Sequence, residues 1–446
     1  MNLIKKPPPV DFTELIGKDP KAFEIFFKPD IAAMLRQAED KYLHWDEFRW
    51  RPLPEGMTHH LAWSYLSFQR MLRRRPVPAF KDENGEPFSY ALPDSVLRTL
   101  SLIDRWSGTL IGTEQPGNLP SPERYVISSL MDEAIASSQL EGAATTRPVA
   151  KEMLRSGRKP QNHSEKMIYN NWVTIQHLRE QKTMILTPQG LCEIHAMITQ
   201  DTLDNPADAG RIRTQDDIVV QYRDQVVHEP PKAALLPERV AAFCAFVNHD
   251  EQHEWMHPVV KASIIHFWIG YDHPFVDGNG RTARALFYWY LLSRNYWLFE
   301  SLVMSRYFIK APARYVRAYM YTETDSHDLT YFIVYNLRIV RLAIQELRTY
   351  LQHKQKELAD ADELLRRHDD LNDRQRSLLA YALRHPTTSY TIQSHKNVHK
   401  VVYQTARTDL FSLRDRGLLN TEKQGRTYVF VPSDMIMTYL RQKQPT

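Results

Sequence analysis

A chain of 446 residues exceeds the usual size of one domain, so two or three domains are expected. With 43% hydrophobic and 25% charged residues it has enough apolar material for sizeable cores, while no uninterrupted apolar run is long enough to span a bilayer, so no membrane-spanning helix is expected. The formal net charge is +4, but Leu371–Thr446 alone holds twelve Lys and Arg against five Asp and Glu, so the rest of the chain is slightly acidic and any nucleic-acid-facing module belongs at the end. The segment Met1–Pro9 has no apolar core of a secretory signal, and the two cysteines, Cys192 and Cys244, sit in helical apolar context as buried thiols. A cytoplasmic location is expected.

Taken in chain order, residues 1–115 read as short helices with Pro-rich joints. Trp45, Phe48 and Trp50 are expected to pin this extension onto the core, and Asn84-Gly85 predicts a small hairpin. Met57–Arg75 reads as a helix whose terminal arginines suit its dipole. Pro122–Leu140 reads as a further helix, closed by Gly142 as a C-cap. Near its end lie Ser137 and Glu141, and a glutamate there opposes the helix dipole, which raises the question of which cation it meets. Farther on, the β-branched runs Ile218-Val219-Val220, after Asp217, and Val226-Val227 predict a hairpin. His253, His257, His266 and His273 fall close together, but neither HExxH nor Cys-x-x-Cys accompanies them, so they read as structural histidines rather than zinc ligands.

The most informative run is His273-Pro274-Phe275-Val276-Asp277-Gly278-Asn279-Gly280-Arg281-Thr282-Ala283-Arg284, followed at once by the apolar Ala285–Leu292. The apolar stretch predicts a helix body, so the glycines and Asn279 fall at a helix N-terminus, where free N–H groups favour an anion. His273 has the pKa of a general base at neutral pH. Asp277 is a hard oxygen ligand suited to magnesium on phosphate oxygens. Gly278 and Gly280 let the backbone approach a phosphate, while Arg281 and Arg284 carry guanidinium forks for phosphate oxygens. Phe275 is expected to anchor the loop in the core.

At the C-terminal end, Asn372-Asp373-Arg374-Gln375 predicts a capping box opening a helix to about Arg384. A short helix over Ile392–Val398 follows. Val402, Ala406, Leu410 and Leu413 then recur at helical spacing and leave Tyr403, Gln404, Arg407 and Thr408 outward. Two strands are expected within Asn420–Val431, around Lys423-Gln424-Gly425-Arg426. Three helices and a hairpin are similar to a winged helix-turn-helix, with Tyr403–Arg416 as recognition helix and DNA, or alternatively protein, as its partner.

The run from His273 to Arg284 resembles the Fic family signature H-P-F-x-D/E-G-N-G-R-x-x-R at every fixed position, and not the Walker phosphate loop. The resemblance implies a mainly α, Fic-type helical bundle with a short β-hairpin flap, flanked by the N-terminal helical extension (1–115) and the winged helix-turn-helix (365–446), with the catalytic domain over 116–350. It implies an enzyme that transfers AMP from ATP, with Mg²⁺, to a hydroxyl of a protein target. His273 would be the base and Asp277 the metal ligand; Gly278, Asn279 and Gly280 would line the anion hole, and Arg281 and Arg284 would hold the outer phosphates. Ser137-Ser138-Gln139-Leu140-Glu141-Gly142 resembles the Fic inhibitory motif S/T-x-x-x-E-G/N through Ser137, Glu141 and Gly142, which implies a restrained enzyme whose Glu141 competes for Arg284. Asp217–Val220 would be the target-docking flap. The family also implies auto-modification and a homodimer as expectations. Two alternatives stand beside this reading: removal of AMP from a modified protein, and a DNA-binding regulator whose Fic domain senses nucleotide.

Overall fold

The computed structural model describes residues 4–10, 20–109, 122–249, 255–386, 388–424 and 427–442. The expected positions His253, Gly425 and Arg426 lie outside them. The chain falls into two compact units, one of residues 1–107 with 128–344 and the other of residues 108–127 with 345–446. No helix among the described residues is long and apolar enough to cross a membrane. The fold is mainly α-helical.

The first unit opens with α1 (Pro29–Asp40), α2 (Trp45–Phe48) and α3 (His59–Arg73), which share an apolar cluster containing Leu35, Trp45, Phe48, Trp63 and Leu66. Thr58 caps α3 by accepting from Leu61 N–H at 3.2 Å. Trp50, expected to pin the extension, is 74% exposed and lies under Arg49, since it falls in the turn after α2 rather than on its buried face. A hairpin follows, β1 (Arg75–Lys81) with β2 (Pro87–Tyr90), turning at Asn84-Gly85 with Gly85 at φ +86. Its Phe80 and Phe88 rings stack on each other, and Phe80 also stacks on Trp268. Then come α4 (Asp94–Thr109), α5 (Pro122–Leu140), α6 (Arg147–Ser156), α7 (His163–Glu180) and α8 (Pro188–Thr199), followed by a second hairpin, β3 (Val220–Tyr222) with β4 (Gln225–His228). The remaining helices are α9 (Leu236–Asn248), α10 (Pro258–Asp272), α11 (Asn279–Ser293), α12 (Ser305–Lys310), α13 (Pro312–Thr324) and the long α14 (Thr330–Arg367).

Two of these helices are rich in large apolar residues and buried nearly all round, and that decides their place. In α10, Ile264, Ile265, Phe267 and Trp268 are buried, and in α11 Leu286, Phe287, Tyr290 and Leu291 are buried. A helix with so little polar surface belongs at the centre of the bundle, and each large apolar side chain so buried contributes about 1.5–3 kcal/mol. That drive carries Arg281 and Arg284, in the first two turns of α11, into the core as well.

The N-terminal helices are held to the start of α14 by polar groups. Arg70, fully buried, donates to Glu39 at 2.9 Å, to the Leu43 carbonyl at 3.0 Å and to the Tyr331 hydroxyl at 2.9 Å. Arg74 pairs with Asp328 at 2.8 Å, and the Tyr42 hydroxyl donates to the same carboxylate at 2.5 Å. Such buried ion pairs pin a geometry more than they add stability, because desolvation offsets much of their attraction.

In the second unit, α15 (Asp373–Arg384) starts at a capping box in which Asn372 and Gln375 exchange bonds, as the sequence predicts. It is followed by β5 (Tyr390–Thr391), α16 (Ile392–His399), α17 (Tyr403–Asp415), β6 (Leu419–Gln424), β7 (Thr427–Pro432) and α18 (Ile436–Gln442), with the strands in the antiparallel order β5-β7-β6. Leu379, Ala406, Leu410, Leu413 and Phe430 form the core. Val402, expected on the buried face, is instead the N-cap of α17 and 68% exposed, because the helix begins one residue later and its inward stripe starts at Ala406. Lys423 and Gln424 lie within β6 rather than in a turn.

Candidate active site

The loop between α10 and α11 reverses the chain so that the C-terminus of one central helix leads into the N-terminus of the next. His273 caps α10 in the left-handed region, at φ 44 and ψ 57. A side chain there costs about 1–2 kcal/mol and persists only where surroundings impose it. The ring nitrogen Nδ1 lies 3.1 Å from the Gly270 carbonyl, an acceptor, so Nδ1 carries the proton and Nε2 keeps its lone pair. Burial pushes the imidazole pKa down to about 4, which keeps it neutral at pH 7. His273 is thus set as a base.

Gly278 is the N-cap of α11 at φ 84, and a Cβ there would meet Thr199 Cγ2 at 2.6 Å, so only glycine satisfies both backbone and packing. Asn279 does not point its side chain outward. Its amide accepts from Phe275 N–H at 3.0 Å and donates to the Phe275 carbonyl at 2.8 Å, closing the loop on itself. The N–H groups of Asn279, Gly280 and Arg281 occupy the first turn, where the helix offers no acceptor. They are free to bind an anion.

Glu141 lies beside those N–H groups. α5 ends in a Schellman motif, with Gly142 at φ 95 and Ala143 N–H bonded to the Ser138 carbonyl at 3.1 Å. This delivers the Glu141 carboxylate to Arg284 at 2.8 Å, and also to Gly280: a Cβ on that glycine would lie 2.2 Å from Glu141 Oε1. Ser137 engages the fork as well, accepting from Arg284 Nε at its hydroxyl (2.8 Å) and from Nη2 at its carbonyl (2.9 Å). Arg284 is buried, and although burial works against its charge, Glu141 outweighs this and holds the guanidinium protonated. Its Nη1 is buried with no hydrogen-bond partner among the described residues, so the fork has a donor to spare. The cation that Glu141 needs is therefore Arg284.

Arg281 lies elsewhere. Its guanidinium is fully buried, donating to the Ile198 carbonyl at 3.3 Å and to Asp277 at 3.4 Å. Three residues in a helix rotate a side chain by about 300°, which turns Arg281 toward α8 while Arg284 faces α5. Asp277 is 58% exposed on its side chain and accepts from Gly278 N–H at 2.6 Å. A hard, accessible carboxylate beside a phosphate-binding helix end suits a magnesium ion that keeps waters and shares phosphate oxygens. Among the described residues no set of three or more His, Cys, Asp or Glu converges on a metal.

Three residues that sequence reasoning assigned no role brace this loop. Arg213, buried, donates from Nε to the His273 carbonyl at 2.9 Å and from its backbone to the Pro274 carbonyl at 2.9 Å. His195 stacks on Phe275 with centroids 3.7 Å apart, accepts from Gly210 N–H at Nδ1 (3.0 Å) and donates from Nε2 to the Asp277 carbonyl at 2.7 Å. Asp272, just before the base, is held by Arg239 at 2.9 Å and by Trp268 Nε1 at 2.9 Å. All three act largely on backbone or on neighbours distant in sequence, and no local pattern announces such bonds.

The expected flap is a hairpin, but its strand is displaced. β3 begins at Val220 rather than at Asp217, and the turn is Arg223-Asp224, with φ 50 and 61. Positive φ at both residues is the two-residue turn that fits strand twist, and Asp tolerates it, though the Asn-Gly signal is missing. Asp217 and Val219 are exposed and Ile218 half-buried, all preceding the strand. In the second unit, Tyr403, Gln404, Arg407 and Thr408 all lie on the exposed face of α17.

A model described as the Fic/DOC family matches residues 185–291. The chain is 27% identical over 176 residues to a "Protein adenylyltransferase Fic" of Nematostella vectensis, covering 38% of this chain and 39% of that one. It is 28% identical over 304 residues to a protein of the same name from Culex quinquefasciatus, covering 64% and 54%. The chain therefore spans about two-fifths to one half of the length of these curated relatives. Its fold is similar to that of a Fic family protein from Desulfovibrio desulfuricans, with a TM-score of 0.51 at 17% identity over 75% of this chain and 96% of that one. It is also similar to a Fic-1 fragment from C. elegans, with a TM-score of 0.50 at 15% identity over 77% and 96%. Residues 185–291 are thus similar to the Fic/DOC family, and the fold around them is similar to that of Fic family proteins.

Proposed function

We propose that this chain is a self-restrained protein adenylyltransferase that moves AMP from ATP to a hydroxyl on a protein target. The observation that carries this reading is the seat shared by Gly280 and Arg284 at the start of α11, where Glu141 now lies. With Glu141 displaced, the first-turn N–H groups receive the α-phosphate and Arg284 the outer phosphates. His273 Nε2 takes the proton of the attacking hydroxyl. The new bond joins that oxygen to the α-phosphorus, the bond from the α-phosphorus to its bridging oxygen breaks, and pyrophosphate leaves. Asp277 is the residue that would hold Mg²⁺, which when bound neutralises phosphate charge. The hairpin β3–β4, a two-stranded sheet with open edges, supports a reading in which the target's backbone pairs along it near Asp217–Val220.

Incubation with α-labelled ATP and Mg²⁺ tests this on wild type, Glu141→Gly and His273→Ala. Label in protein that rises in Glu141→Gly and vanishes in His273→Ala supports restrained transfer. Release of AMP from a premodified protein, dependent on Glu141, favours the reverse reaction; neither outcome leaves the nucleotide-sensing regulator.

For residues 365–446 we infer a winged helix-turn-helix that binds DNA. One observation favours it. Arg374, Arg376, Arg414 and Arg416 are engaged by Asp409, Asp373, Asp415 and Asp370, whereas Lys396, Lys400, Arg407 and Lys423, on α16, its following turn, α17 and β6, have no ion-pair partner among the described residues. Binding of residues 365–446 to duplex DNA that is absent or insensitive to salt would count against this.

A further inference from the structure

The β3–β4 hairpin is a two-stranded ribbon, and such a ribbon is marginally stable in water by itself. Something must hold it at the base, and the structure has one buried polar contact there. His228, the last residue of β4, is buried, with Nε2 2.6 Å from the Tyr271 carbonyl and Nδ1 2.9 Å from Glu323 Oε2. Both partners are acceptors. A neutral imidazole has one N–H and cannot serve both; an imidazolium donates to each. Glu323 Oε1 is buried without a partner among the described residues, so this carboxylate relies on His228 for compensation.

We propose that His228, as an imidazolium paired to Glu323, is the anchor that positions the β3–β4 hairpin against the catalytic base. Tyr271, its carbonyl partner, lies in the last turn of α10, two residues before His273, so one ring ties the hairpin to the segment that presents the base. Glu323 is itself fixed from the other side. On the same turn, Thr324 bonds His44 at 3.3 Å and Tyr321 stacks on His44 at 4.1 Å, while the next residue, Asp325, accepts from Tyr331 at 2.5 Å. The end of α13 is therefore held by the N-terminal extension and by α14, and Glu323 meets the hairpin from a fixed position. This rests on reading the hairpin as the target-docking flap.

The groups facing the ring set its titration. They are Glu323 from α13, Tyr271, Asp272 and His273 from α10 and its cap, and Arg239 from α9, which Asp272 engages. Burial works against the charged ring, but the Glu323 hydrogen bond and charge outweigh it, so the pKa lies above the usual 6.5. The anchor is therefore fully present below pH 6.5 and is lost as pH rises through the raised value.

Hydrogen–deuterium exchange of the 220–228 amides in the full chain, corrected for the intrinsic pH dependence of exchange, tests this. Wild type is expected to lose protection at alkaline pH. His228→Gln and Glu323→Gln are expected to show it reduced about 10- to 100-fold already at pH 6, with no further alkaline step. Binding of a fluorescent ATP analogue in a Glu141→Gly background should be unchanged, which separates a lost anchor from a lost fold. Unaltered protection in both variants, or the same alkaline step in them as in wild type, overturns the anchor. If protection falls as expected while AMP transfer by the Glu141→Gly background is unaffected, the anchor stands and the flap reading fails.

Discussion

Two regions of this chain present cations suited to phosphate, and they do so in opposite ways. At the start of α11, Arg284 is buried and its fork is shared between Ser137 and Glu141. In the turn after α16 and on α17 and β6, Lys400, Arg407 and Lys423 are exposed and have no carboxylate partner among the described residues. A buried guanidinium acts in a low dielectric, so its pairing with a carboxylate or another anion is strong. Exposed lysines and arginines act through a screened field, so they suit a long polyanion bound by counterion release, with a strong dependence on salt. On the proposed function the first would work as a switch and the second as a binding surface.

The sharpest way to break this contrast is at the base. His273→Ala is expected to lower AMP transfer by about 10²- to 10⁴-fold without affecting DNA binding, as read by labelled-ATP incorporation and gel shift. In wild type, kcat/KM for transfer should fall on the acid side near pH 4, where His273 takes up a proton and ceases to be a base. A limb near pH 6.5 instead would mean that burial does not control the ring.

Arg213→Ala removes a donor to the His273 carbonyl and is expected to cost up to about 100-fold in kcat through misplacement of the base, with KM for ATP little changed. An effect on KM for ATP alone would place Arg213 in nucleotide binding. Glu141→Gly frees the seat at Gly280 and Arg284 and is expected to raise transfer by about 10- to 100-fold. No rise would show that the ion pair is structural only. The smallest effect belongs to the surface: Arg407→Ala should weaken DNA binding and reduce the slope of log affinity against log salt by about 1. If Arg407→Ala changes neither, the α17 face is not the contact surface and a protein partner becomes the better reading.

The catalytic loop was legible because its chemistry is local. His273, Asp277, Gly278, Asn279, Gly280 and Arg284 fall within twelve consecutive residues, and helix N-terminal geometry follows from the apolar run behind them. The capping box at Asn372 and the outward face Tyr403–Thr408 were legible for the same reason, since capping and helical periodicity act within one or two turns. The hairpin was placed but its strand was set too early, because its Arg223-Asp224 turn lacks the glycine that usually marks such turns. Trp50 was expected to pin the extension and Val402 was read as buried from helical spacing, but Trp50 falls in the turn after α2 and Val402 at the N-cap of α17, and both are exposed.

By itself the sequence determined that a base, a carboxylate and an anion-binding helix end stand together, since backbone geometry and residue chemistry suffice for that. Only the tertiary structure decided what surrounds them. Ser137 and Glu141 meet Arg284 across about 140 residues of chain, as Arg213 meets His273 and Glu323 meets His228 over shorter but still distant spans. Those meetings follow from burying two helices on nearly every side. The packing that removes α10 and α11 from water also carries Arg284 inside, where its charge must find a partner. The partner within reach is the chain's own glutamate.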